Sequence, residues 1–254
     1  MISQDPALKV LHILEALADV DGSGLGLMEI CEKSGLSRST AHRLLIALSE
    51  AGYIERNERT KTYSLGLPIV RIAAGLLNRI SIRSIARPYL EQLTKETQET
   101  SHLAQVDSFQ ALYIDLVDSP LEIGFLTTRI GKHLPLHCSA SGKALLAFKS
   151  AEFREAFFKR AELTQRTENT LTTREALEAN LEETRKRGYS LDIMESNSGN
   201  KSIGAPIFGR NGDVIAAISV AGPAFRFEPQ TEAVVGSLLK AAAHINELVK
   251  DLID

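Results

Sequence analysis

Ser34-Gly-Leu-Ser-Arg-Ser-Thr-Ala-His-Arg-Leu-Leu-Ile-Ala-Leu-Ser-Glu-Ala-Gly52 is the stretch on which the reading of the fold turns. Ser37 is placed to cap a helix running to about Glu50, and Gly52 to stop it. Ala41, Leu44, Leu45 and Leu48 recur at helical spacing and form its core face. Arg38, Ser39, His42 and Arg43 then point away from that face into water. Just upstream, Leu27–Lys33 reads as a shorter helix ended by Ser34-Gly35. Two helices joined by Ser34-Gly35-Leu36, the second presenting Ser37, Arg38, Ser39, Thr40, His42 and Arg43, suit a helix-turn-helix. A helix of about a dozen residues is ~20 Å long and fits a major groove.

The flanks complete that unit. Asp5 caps a helix that has Pro6 in its first turn, and Leu8, Leu11, Leu14, Leu17 and Ala18 recur along it. Tyr53–Arg56 and Thr62–Leu65 are β-prone runs around the polar segment 57–61, a hairpin whose tip carries Arg56, Arg59 and Lys61. This is the wing of a winged helix, placed to touch phosphates while the helix reaches base edges. A solvated face of a small bundle would also carry charge, but basic residues on helix and wing together favour DNA. Pro68 then opens a connector helix to about Asn78 with Leu67, Val70, Ala74 and Leu77 as its apolar stripe.

Charge permits this partner without demanding it. The net charge of −3 is carried by residues 81–254, since residues 1–80 hold nine Lys/Arg and nine Asp/Glu. Five basic residues face three acidic ones within Ser37–Tyr63, and four arginines without an acid lie between Gly66 and Leu90. A small basic face of this kind binds phosphate best when two copies act together. No apolar run approaches the ~18 residues of a membrane span. Cys31 and Cys138 cannot make a disulfide framework or a Cys-rich zinc site, and the six histidines lack metal-ligand spacing. The expectation is a cytoplasmic protein without cofactor or metal.

After Ile80 the pattern becomes mixed. A helix around Ile82–Thr97 contains Pro88, which should bend it or mark a fresh start. Strands are expected at His102–Val106, Leu112–Val117 and Ile123–Thr127, and helices at Gly142–Lys149, Ala151–Arg160 and Thr173–Arg187. The last carries a capping-box pattern, Thr172-Thr-Arg-Glu175. Asn211-Gly212 separates Ile203–Phe208 from Val214–Ala221 as a hairpin, and Gln230–Asp254 closes with an amphipathic helix.

Leu136-His-Cys-Ser-Ala-Ser-Gly-Lys-Ala-Leu-Leu-Ala147 invites enzymatic readings that fail on spacing. A phosphate loop needs Gly where His137 stands and Ser/Thr where Ala144 stands. A nucleophile elbow at Ser139 needs glycines where His137 and Ser141 stand. Cys138 sits in apolar company, which favours an inert thiol. A turn feeding a helix from Gly142 remains, with Ser139 and Ser141 hydroxyls beside unpaired N–H groups; anion binding and simple capping are equally good readings. Further on, Ser190, Asp192 and Met194 alternate onto one strand face, and Gly204, Ala205, Ser219 and Ala221 leave room beside a sheet. A cavity lined by Asp192, Ser202 and Ser219 would suit a small polar ligand.

The order of these motifs resembles the isocitrate lyase regulator (IclR) family of bacterial transcription factors over essentially the whole chain. The resemblance rests on Leu136–Ala147, on Arg187-Gly-Tyr, Glu195, Ile203-Gly-Ala-Pro-Ile-Phe208 and Ala216–Pro223, and on Ser37–Leu45 with Gly52–Arg56 and Tyr63–Gly66. It implies an α+β chain: a winged helix-turn-helix over 1–66, a linker helix over 67–80 and a GAF-like α/β effector domain over 81–254. It further implies dimers or dimers of dimers on double-stranded operator DNA, and an effector pocket at Ala140, Ser141, Gly142, Asp192, Ser202, Ser219 and Ala221. Ser202 stands where many members have Cys, and Ala221 where some have Ser. The resulting expectation is a repressor of a catabolic operon governed by a small carboxylate-bearing metabolite. The competing expectation is a cytosolic enzyme working through Cys138 and Ser141.

Overall fold

In the computed structural model, Ser37 accepts a hydrogen bond from the Thr40 N–H and starts helix α3, Arg38–Glu50, which follows α2, Leu27–Ser34. Gly35 closes α2 in the left-handed conformation at φ 67°, where a side chain is disfavoured. The structure describes residues 5–18, 20, 23–77, 79–121 and 128–252. They form two compact units, residues 1–79 and 80–254.

The first unit contains α1, Pro6–Ala18, then α2 and α3, then strands β1, Ile54–Arg56, and β2, Tyr63–Leu65, and finally α4, Pro68–Leu77. The strands pair antiparallel with Arg56 opposite Tyr63, so the wing hairpin forms as its sequence directs. Ile13, Leu17, Ile30, Ala41, Leu45, Leu48 and Ile54 make one core beneath it. Leu67 and Val70 on or beside α4 are exposed, whereas Ala74 and Leu77 are half-buried.

The second unit is a six-stranded antiparallel sheet in the order β5-β4-β3-β8-β7-β6. The strands are β3, Thr100–Asp107; β4, Gln110–Val117; β5, His133–Pro135; β6, Ser190–Ile193; β7, Asn200–Phe208; and β8, Val214–Pro223. Alternation splits each strand between two cores. Leu103, Ile203, Ile218 and Val220 face α5, Ser81–Thr97, and α10, Thr231–Leu252. Ala104, Tyr113 and Ala217 face the other layer, in which α6 is Ala140–Phe148, α7 is Ala151–Arg160 and α8 is Arg174–Arg187.

Several expectations shift. Pro88 lies inside the unbroken helix α5, because tertiary burial of Ile82, Ala86, Leu90 and Leu93 outweighs one missing N–H bond. The cap of α8 is Thr173, whose hydroxyl accepts from the Ala176 N–H, so the box centred on Thr172 does not form. Met194 leaves the strand face, with φ at 57° just beyond β6. Strand β5 had no clear signal in the sequence. The strand expected at Ile123–Thr127 lies outside the described residues.

Candidate functional site

Two concave surfaces gather the polar side chains singled out by the sequence, one in each unit. In the first unit, Arg38, Ser39 and His42 of α3 meet Arg56 and Lys61 of the wing around a groove of about 990 Å³, which Met28 and Thr60 also line. Arg43 and Arg59 are exposed outside that lining. Ser37 and Thr40 are engaged in the cap, their hydroxyls 2.9 Å apart. Arg56 and Lys61 both reach Glu58, at 3.2 and 2.8 Å. Glu58 is fully exposed, and the Lys61 hydrogen bond and then the Arg56 charge hold its carboxyl below the usual range. Exposed pairs of this kind are screened by salt and add little to stability. Met28 was missed because an apolar residue at the start of α2 reads as core, yet it is exposed.

In the second unit a chamber of about 120 Å³ opens beside β6, β7 and β8. The register places Asp192 opposite Ser202 and Ser202 opposite Ala221, and all three line it. Lys132, Arg166 and Lys201 supply a cationic margin, with His133 beside them. None of these four was anticipated, since they come from turns and from strand ends that no local pattern marks as convergent.

Asp192 is saturated by its own chain. Its Oδ1 accepts from the N–H groups of Glu195, at 2.8 Å, and Ser196, at 3.3 Å; its Oδ2 accepts from the hydroxyls of Ser196, at 2.5 Å, and Ser202, at 3.2 Å. Burial raises its pKa, and these hydrogen bonds oppose the rise. Four protein donors therefore satisfy Asp192 without any ligand. With Asp192 matched internally, Lys132 and Arg166 supply positive charge to the lining, while Lys201 is already paired with Glu228 at 3.0 Å and His133 with Asp107 at 2.8 Å.

Ala140, Ser141, Gly142 and Ser219 lie behind the chamber rather than on it. The Ser141 hydroxyl donates to Ser219 at 2.8 Å, and both residues are buried. At the start of α6, Ser139 accepts from the Gly142 N–H at 3.1 Å, so capping, one of the two readings of this turn, is what forms. A Cβ on Gly142 would come within 2.5 Å of Ser139 Oγ and 2.6 Å of Leu136 Cα. The room left by Gly204 is filled by α6 itself, whose Ala140 carbonyl would stand 2.6 Å from an added Cβ.

Lys143, fully buried, donates to both carboxylate oxygens of Glu195 at 2.6 and 2.7 Å. Burial pushes the Glu195 carboxyl up and the Lys143 charge draws it back. The hydroxyls of Thr167 and Thr170 donate to the Met194 and Glu195 carbonyls at 2.7 Å each, fixing the turn that carries Glu195 and Ser196. Cys138 is buried, and burial followed by the Asp192 charge pushes its thiol up to about 12. A thiol held protonated in this way is a poor nucleophile at neutral pH. His137 donates from Nε2 to the Thr164 carbonyl at 3.1 Å, which occupies that ring nitrogen.

Residues 74–247 match the bacterial transcriptional regulator IclR C-terminal family, and residues 6–58 match the IclR helix-turn-helix domain. The chain is 32% identical to the HTH-type transcriptional regulator KdgR of Escherichia coli over 96% of its length and 92% of that protein's. It is 32% identical to the transcriptional repressor IclR of E. coli, covering 92% of this chain and 85% of that one. It is also similar to the crystal structure of an IclR homologue from Microbacterium hydrocarbonoxydans complexed with 4-hydroxybenzoate. The two are 26% identical with a TM-score of 0.82, over 97% of this chain and 100% of that one. With both domain families matched in order and relatives aligned almost end to end, the chain belongs to the IclR family of transcriptional regulators, with a DNA-binding helix-turn-helix and an effector-binding domain.

Proposed function

We propose that this regulator is a cytoplasmic repressor of a catabolic operon and not an enzyme, and that a small carboxylate held in the second unit sets its operator affinity. The observation that carries the effector reading is the chamber whose basic margin of Lys132, Arg166 and Lys201 surrounds an internally satisfied Asp192. An anion gains from that margin without meeting an unmatched negative charge. The M. hydrocarbonoxydans homologue, complexed with the carboxylate 4-hydroxybenzoate, supports the ligand class, and the repressor name of the E. coli relative supports the sign of control. The thiol of Cys138, held protonated, supports a binding role over a hydrolytic one. Among the described residues, no helix is long and apolar enough to cross a membrane.

The operator-bound form is a dimer or a dimer of dimers. One winged helix from a unit without net charge offers few phosphate contacts, and two copies on a two-fold site double them. The exposed Leu67 and Val70 continue the stripe of the half-buried Ala74 and Leu77, and that stripe gives α4 an apolar face for pairing.

The test is a thermal-shift screen of small acids on the full chain, followed by operator mobility shifts with each hit. Arg166→Ala and Lys201→Ala should each weaken the hit while Arg38→Ala leaves its binding unchanged. A hit whose affinity ignores both cationic substitutions would place the effector elsewhere.

A further inference from the structure

Tyr113 stands between two groups of residues that the sheet register sets side by side. Asp192, Ser202 and Ala221 form one cross-strand row and line the chamber. His102 and Ser219 are opposite each other in the next row, under α6, and Ser219 is joined there to Ser141. Tyr113 lines the chamber with only 5% of its surface exposed. Its ring stacks on His102 at 4.3 Å between centroids and 15° between planes, which fixes the ring's orientation. Burial raises the pKa of its hydroxyl, and Ser141 and Ser219 beside it oppose the rise.

We propose that Tyr113 is the size-determining residue of the effector pocket: its phenol fills the inner compartment against Ser141 and Ser219 and confines the effector to the outer chamber. The proposal rests on the effector reading above and names which acids can use that site. The outer chamber, about 120 Å³, lies well below the ~300–1,000 Å³ of sites that bury drug-sized ligands. A space of that size suits a hydroxy or oxo acid of a few carbons better than an aromatic acid. The hydroxyls of Ser141 and Ser219, which an elongated ligand could otherwise use, are hydrogen-bonded to each other and are not on the chamber lining.

The experiment is calorimetry on the full chain with phenol, 4-hydroxybenzoate and glycolate, comparing wild type with Tyr113→Ala and Tyr113→Leu. Wild type should bind neither aromatic at millimolar concentration. Tyr113→Ala should bind phenol, which replaces the missing side chain, and should bind 4-hydroxybenzoate about tenfold more tightly, because its carboxylate then reaches the cationic margin. Equal affinity of the variant for the two aromatics would mean a sealed core void, and wild-type binding of 4-hydroxybenzoate as tight as the variant's would mean that Tyr113 excludes nothing. Either result overturns the proposal. Should Tyr113→Ala fail to fold, Tyr113→Leu, which still opens the hydroxyl end, is held to the same comparison, and binding of neither aromatic overturns the proposal as well. Glycolate binding to wild type, weakened by Arg166→Ala, bears on the effector reading alone, so the two failures are separable.

Discussion

Lys143 and Glu195, 52 residues apart in the chain, close a buried ion pair at 2.6 and 2.7 Å that fastens the first turn of α6 to the turn after β6. That turn also carries Ser196, whose N–H and hydroxyl both serve Asp192. Removing one partner of a buried pair strands the other charge, typically at ~3–5 kcal/mol. Lys143→Met and Glu195→Leu should each lower stability by about that much in urea unfolding, while the two together recover most of it. Additive losses in the double variant would count against the pair as one coupled unit.

His102 gives the effector unit an acid-side dependence. Burial depresses its pKa to about 3, against 6.5 for the exposed ring. Below 6.5 the unfolded chain takes a proton that the folded ring refuses, so stability falls as pH drops from about 6.5 toward about 3. At pH 5 the loss is about 2 kcal/mol relative to neutral pH. Urea titrations at the two pH values should show this difference in wild type and not in His102→Asn. An unchanged difference in the variant would assign the acid sensitivity to another group.

The wing and the recognition helix should separate in their response to salt and sequence. Arg38→Ala and Ser39→Ala, on the groove face of α3, should each cost ~1–3 kcal/mol at the operator and little on random DNA. Lys61→Ala should weaken both, lowering the slope of log affinity against log salt by about 1. Fluorescence anisotropy across a salt series distinguishes the two patterns, and a sequence-selective loss from Lys61→Ala would reverse the assignment.

Gly204→Ala should destabilise the second unit by ~1–3 kcal/mol, because an added Cβ would sit 2.6 Å from the Ala140 carbonyl oxygen, which is helix backbone and cannot swing aside. Gly212→Ala is the control. Its Cβ would meet nothing, although φ at 81° is strained for any residue with a side chain. Thermal melts in which the two variants coincide would remove steric closeness as the reason for Gly204.

Local chemistry was legible in the sequence and convergence was not. The Ser37 cap, the Gly35 stop and the apolar face of α3 each depend on residues within one or two turns, and all form. Ala151–Arg160 and the Asn211-Gly212 hairpin likewise carry their own boundaries. The α8 cap slipped by one residue because Thr172 and Thr173 offer the same hydroxyl. Lys143 reads as an ordinary helical lysine until the sheet delivers Glu195. The basic margin of the chamber is assembled from residues as far apart as Lys132 and Lys201. Asp192 was singled out by strand alternation, but its partners Glu195 and Ser196 lie in a turn whose left-handed Met194 no periodicity forecasts.

Glu58 bears on selectivity through its place between Arg56 and Lys61. If the wing meets phosphates as proposed, Glu58 is a tethered counterion that each one must displace. Non-cognate duplexes, held by charge alone, would then lose proportionally more from that competition than an operator whose bases α3 also reads. Neutralising the tether would make the wing stickier toward all DNA and narrow the gap between the right site and the rest of the genome.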